Sequence, residues 1–94
     1  MTYELEFLPA ALKEWRTLGH TVREQFKRKL DERLSNPRVQ ADTLHGLPNH
    51  YKIKLRSAGY RLVYRIEEYR VVVTVVAIGK RERGEVYSTA AQQR

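Results

Sequence analysis

Residues 51–66, YKIKLRSAGYRLVYRI, alternate apolar and polar side chains on either side of a short break at Arg56-Ser57-Ala58-Gly59. A period of two is the mark of a half-buried strand, so the stretch reads as a β-hairpin. If Tyr51, Ile53 and Leu55 face the core with Tyr60, Leu62 and Tyr64, the pairing must set 55 against 60, 53 against 62 and 51 against 64. Gly59 can then supply the positive φ that such a loop often needs. The same register puts Lys54 directly opposite Arg61 on the outer face, with Lys52 opposite Val63 and Arg65 nearby. Opposed residues have Cβ atoms ~4.5–5.5 Å apart, and like charges there are destabilising. A chain selected only for folding would more readily carry Glu or Thr at one of these positions. The repulsion points to an external anion.

The rest of the chain is consistent with that reading. Ninety-four residues suffice for one compact domain, expected to span 1–94. The formal charge of +7 is uneven: residues 1–50 carry 8 basic and 7 acidic side chains, whereas residues 51–94 carry 10 and 4, a net of +6. A one-sided cationic surface with aromatics suits nucleic acid, an acidic protein or an anionic membrane surface. No stretch approaches the ~20 apolar residues of a membrane span, and MTYELEFLP is acidic and alternating rather than a signal segment. A soluble, cytoplasmic protein with no membrane association is expected. The absence of cysteine excludes disulfides, thiolate metal sites and a thiol nucleophile.

Flanking the hairpin, Tyr3, Leu5 and Phe7 alternate with Glu4 and Glu6, predicting a first strand. Pro9 opens a helix whose apolar face is Leu8, Ala11, Leu12, Trp15 and Leu18, with Gly19 as its stop. Thr21 and Glu24 form a T-x-x-E capping box for a second helix with a narrow stripe of Val22, Phe26, Leu30 and Leu34, ended by Asn36-Pro37. A polar connector occupies 38–49. The run VVVTVVAI, Val71 to Ile78, is apolar almost without a break, which predicts an interior strand closed by Gly79. The tail from about Arg83 has helical composition. The expected order is βααβββα, an α+β domain with helices packed on a mostly antiparallel sheet.

The runs ALKEW, VREQ, YKIKLRS, GYRLVY and IGKRERGEVYS together resemble the RelE toxins, the ribosome-dependent mRNA interferases of bacterial toxin–antitoxin pairs, across essentially the whole chain. The resemblance implies metal- and cofactor-free cleavage of mRNA in the ribosomal A site. There a 2′-OH attacks the adjacent phosphate and leaves a 2′,3′-cyclic phosphate and a 5′-OH. It carries the catalytic roles onto Lys52, Lys54, Arg61, Arg81 and Tyr87: Lys54 supported by Lys52 on the base side, Arg61 on the transition-state phosphate, Arg81 at the leaving 5′-oxygen, and Tyr87 stacking on the mRNA base. His45, Arg56, Arg65, Lys80 and Arg83 are the implied RNA or ribosome contacts. His45 departs from the family pattern, which usually has Arg at this connector position. The implied partners are a cognate RelB-like antitoxin, acidic or amphipathic, and the 70S ribosome with its mRNA and 16S rRNA. Operator DNA would be bound only through the antitoxin complex.

Elementary chemistry limits these roles. Ribonucleases commonly use a histidine pair, but His20 reads as a surface residue beside a helix start, and nothing in the spacing brings His45 and His50 to the basic face. Lysine, with an ordinary pKa of ~10.4, is a poor base at neutral pH. Neighbouring cations lower it and a bound phosphate raises it, so Lys54 can serve as a base or as a cationic stabiliser. Guanidinium is a poor proton donor, which makes charge stabilisation the natural task of Arg81. The contrasting readings are a non-catalytic RNA- or ribosome-binding module, and a toxin-like inhibitor of another target such as gyrase.

Overall fold

The computed structural model describes residues 2–80. Its elements are β1 (Glu4–Phe7), α1 (Pro9–Thr17), α2 (His20–Ser35), a 3-10 turn at Gln40–Asp42, β2 (His50–Leu55), β3 (Tyr60–Glu67) and β4 (Val72–Lys80). The four strands form one sheet in the order β1-β4-β3-β2, antiparallel except where β1 runs parallel to β4. The tail helix expected from about Arg83 lies outside the described residues. None of the described helices is long and apolar enough to cross a membrane.

The hairpin adopts the register that alternation demands: Leu55 pairs with Tyr60, Ile53 with Leu62, Tyr51 with Tyr64 and Lys54 with Arg61. Gly59 closes the loop at φ +70°. The inward residues meet Phe26 and Leu30 of α2, Ala11 of α1, and Val73, Val75 and Ile78 of β4 in the main core. Val22 and Leu34 pack at its edge, so all four stripe positions of α2 face the sheet. Trp15 also packs there, its ring 5.1 Å from that of Phe7.

β4 is buried from Val72 to Ile78, because both of its faces are covered. On the second face, Leu47 of the connector packs with Val63, Val76 and Ala77. The ladder shifts between Val63 and Tyr64, which pair with Ala77 and Val75, so Val76 is the extra residue of a bulge.

Four local expectations are corrected. Gly19 is not a left-handed stop for α1; Leu18 already leaves the helix, and Gly19, at φ −61°, ψ 154°, is the N-cap of α2. Its carbonyl accepts the first helical bond from Arg23, so α2 starts at His20. Thr21 therefore sits inside the first turn, and the capping box does not form, because the abrupt α1–α2 junction supplies an extended residue earlier. Val71 is not the start of β4 but a turn residue at φ +54°, its N–H bonded to the Glu68 carbonyl and its own carbonyl to the Glu4 N–H. Gly79 does not end β4, since β3 reaches Tyr60 and keeps pairing it out to Lys80.

Tyr64 is fully buried, yet its hydroxyl donates to the Pro37 carbonyl at 2.6 Å and accepts from Arg33 at 2.9 Å. It thus ties β3 to the end of α2. Tyr64→Phe should lower unfolding stability by about 1–3 kcal/mol, because it strands two partly buried polar partners. A shift of the urea midpoint at constant m-value is the measurement that checks this.

Candidate active site on the outer face of the hairpin

β-pleating puts alternate residues of β2 on one side, and the six-residue strand contributes His50, Lys52 and Lys54 there. Pairing then sets His50 beside Arg65, Lys52 beside Val63 and Lys54 beside Arg61. Beyond Arg61 the neighbour on β4 is Gly79, which has no side chain to set beside the guanidinium. Among the described residues, Lys52, Lys54 and Arg61 have no carboxylate partner within ion-pair distance.

Lys54 carries the electrostatic consequence. Its ammonium is held below the ordinary lysine pKa, first by the charge of Lys52, then by burial, then by Arg61 and Arg56, with Asp42 pulling the other way. Lys52 lies two residues away on the same face of β2, and Arg61 directly across the ladder. A lowered pKa enlarges the neutral fraction able to accept a proton at a given pH.

Four positions named from the sequence as RNA or ribosome contacts differ from one another. Arg56 is exposed in the hairpin loop and joins the field on Lys54. Arg65 lies on the same face, but its guanidinium is 4.0 Å from the Glu67 carboxylate. That carboxylate is held below the usual range chiefly by the Thr74 hydroxyl at 2.5 Å, then by Arg65 and Arg70. Lys80 pairs with the inward-facing Tyr60, so the register puts it on the helix side of the sheet at its exposed end. His45 is exposed in the connector turn before Gly46. Arg81, Arg83 and Tyr87 lie outside the described residues.

Of the other histidines, His20 is exposed at the start of α2. His50 shares the face of Lys52 and Lys54 by register, but it is buried and its Nδ1 is 2.8 Å from the Pro48 carbonyl. Among the described residues no group of three or more His, Asp or Glu could hold a metal ion.

An open groove of about 610 Å³ continues from Lys54 around the β2 edge, between Arg28, Lys29 and Glu32 of α2 and Arg56 and Ser57 of the loop. The sequence shows Arg28 and Lys29 only as part of a charged helix surface. Their proximity to Lys54 depends on how α2 lies across the sheet, which no local pattern encodes.

Comparison with known proteins places this geometry. A model for the ParE toxin of the type II toxin–antitoxin system parDE matches residues 5–84. The mRNA interferase toxin RelE of Escherichia coli K12 is 59% identical over 93 residues, 99% of this chain and 98% of that protein. The chain belongs to the RelE toxin family. In solved structures, a double arginine-to-alanine mutant of E. coli RelE in the free state superposes at TM-score 0.92, with 58% identity, covering 98% of this chain and 97% of that one. RelE in the intact E. coli RelBE toxin–antitoxin complex superposes at TM-score 0.83, with 59% identity over 86% of this chain and 99% of that one. The sheet of this RelE-family chain carries Lys52, Lys54 and Arg61 on β2 and β3.

If Lys52 is the main cause of the depressed Lys54 pKa, Lys52→Met should raise that pKa toward the ordinary lysine value. Titration of the Lys54 side chain by NMR should show the rise, and an unchanged titration would remove Lys52 as the cause.

Proposed function

We propose that this RelE-family chain is the toxin of a type II toxin–antitoxin pair that inhibits translation by cutting mRNA in the ribosomal A site. The observation that carries the reading is the unpaired cationic trio, with the Lys54 ammonium pushed below its ordinary pKa, on a chain 59% identical to an mRNA interferase. The 2′-oxygen of one nucleotide attacks the adjacent phosphorus; the 2′-O–P bond forms and the P–O5′ bond breaks. The neutral fraction of Lys54, enlarged by the charge of Lys52, accepts the 2′-OH proton. Arg61 holds the anionic phosphorane oxygens, a task suited to a guanidinium fork. Arg81 stabilises the leaving 5′-oxygen, which takes its proton from water, and Tyr87 stacks on and orients the base. Arg56, His45 and Arg83 extend the contacts to RNA or ribosome.

This acid–base equipment is weak, since a lysine works far from its ordinary range and an arginine gives up no proton. Such a site depends on having its substrate delivered in an attack-ready geometry, which the ribosome supplies. The chain acts in the cytoplasm, where ribosome and mRNA are. A RelB-like antitoxin with acidic or amphipathic character covers the basic face and silences it, and operator DNA is reached only through that complex.

Mapping mRNA 3′ ends after adding the protein to programmed 70S ribosomes tests the reading. Wild-type protein should cut within the A-site codon and leave cyclic phosphate ends. Lys54→Met and Arg61→Met should each lower the single-turnover rate by about 10²–10³-fold. A wild-type rate in both variants would mean that the face grips RNA without cutting it. Arg28→Ala with Lys29→Ala should weaken ribosome binding while leaving cleavage at saturation intact. The slope of log affinity against log salt should fall by roughly 1 for each lost phosphate contact.

A further inference from the structure

Arg33, in the last turn of α2, is nearly buried, with 13% of its side chain exposed, and it belongs to neither the cationic trio nor the groove. Its Nη2 donates to the Asp42 carboxylate at 2.5 Å; its Nη1 donates to the Tyr64 hydroxyl at 2.9 Å and to the Lys52 carbonyl at 3.4 Å. One guanidinium therefore touches the connector, β3 and β2. Asp42 is adjacent to the site for a topological reason: Thr43 bridges Tyr51 antiparallel, so the same alignment taken one residue further sets Asp42 beside Lys52. A carboxylate there is the natural ion-pair partner of Lys52 and Lys54. It is bound instead to Arg33, and neither lysine makes an ion pair with it.

We propose that Arg33 is a positioning residue for RNA cleavage: it holds the Asp42 carboxylate away from Lys52 and Lys54 and anchors the β2 backbone at Lys52, keeping both ammonium groups open to phosphate. The proposal rests on the cleavage reading above. A carboxylate released at this position would compete with the scissile phosphate for the lysines and would favour the protonated form of Lys54. Even held, Asp42 is the carboxylate that raises the Lys54 pKa against its cationic neighbours. Among the described residues, the titratable groups facing Lys54 are Lys52 on its own strand, Arg61 on β3, Arg56 in the loop, Asp42 in the connector, and Arg28, Lys29 and Glu32 on α2. Arginine suits this role because its planar fork serves several acceptors at once, whereas an ammonium on the same stem presents a single point charge.

The test is a double-mutant cycle on the full chain with programmed 70S ribosomes. Arg33→Met should lower single-turnover cleavage about tenfold, move the rising limb of the pH–rate profile to higher pH, and raise the Lys54 pKa read by NMR. Adding Asp42→Asn should restore rate, profile and Lys54 titration to near wild type, although the double variant stays less stable because Tyr64 and the Lys52 carbonyl have lost a donor. A double variant as slow as Arg33→Met, or Arg33→Met cutting at the wild-type rate, would overturn the proposal. Should Arg33→Met fail to fold, Arg33→Lys decides: an ammonium cannot hold all three acceptors, so the Lys54 pKa must rise, and an unchanged value overturns the proposal. A wild-type protein that cuts nothing would sink the cleavage reading itself, while the Lys54 titrations would still report whether Arg33 restrains Asp42.

Discussion

Burial of one side of the β2–β3 hairpin is the constraint from which the rest follows. Tyr51, Ile53, Leu55, Leu62 and Tyr64 are buried against the helices. Because side chains alternate strictly across a sheet, a slip of one residue would expose all of them and bury Lys52, Lys54 and Arg61. Core burial therefore enforces a register in which like charges oppose each other. The repulsion, which costs some fraction of a kcal/mol at such a pair, is tolerated because each inward apolar side chain contributes about 1.5–3 kcal/mol. Folding free energy is thus converted into an electrostatic field on the opposite face, and the lowered Lys54 pKa is a direct expression of it.

The sheet face is not uniformly basic, and its division explains which cations remain available. In the middle, Leu47 covers Val63, Val76 and Ala77, so the connector divides the surface with an apolar plug. On one side of the plug lie Lys52, Lys54 and Arg61, which have no carboxylate partner among the described residues. On the other, Arg65 and Arg70 share Glu67, Arg70 also reaches Glu6 at 2.6 Å, and Arg38 pairs with Glu68. Exposed pairs of this kind contribute little to stability. Among the described residues, their effect is to confine the unneutralised charge to the end of the sheet where Arg61 pairs with Gly79.

How much of this was legible varies with the range of the interactions. The strands, the two helices and the hairpin register were readable because each is encoded by a short period and by Pro9, Gly59 and Pro37 at the boundaries. The apolar run of β4 was enough to place it inside the sheet, although its ends were misjudged: whether Val71 turns or pairs depends on where β1 and β3 lie. The T-x-x-E pattern at Thr21 was a sound local signal overruled by the α1–α2 junction at Gly19. The bulge at Val76 left no mark in a stretch where every residue but Thr74 is apolar.

The sequence by itself determined which residues of the hairpin share a face, because alternation and burial admit only one pairing, and so it determined that Lys52, Lys54 and Arg61 meet. It also carried the family resemblance. Only the tertiary structure decided which charges are free. Arg65 and Lys54 read alike along the chain, but one meets Glu67 and the other does not. Arg33 reads as one more cation on a charged helix, and Asp42 as one more polar residue of the connector. Their contact spans nine positions in sequence and joins α2 to the connector beside β2, an encounter set by packing of Phe26 and Leu30 on the sheet and by the Thr43–Tyr51 bridge. Ion pairing depends on distances of a few ångströms between separate elements, and no local periodicity records those distances.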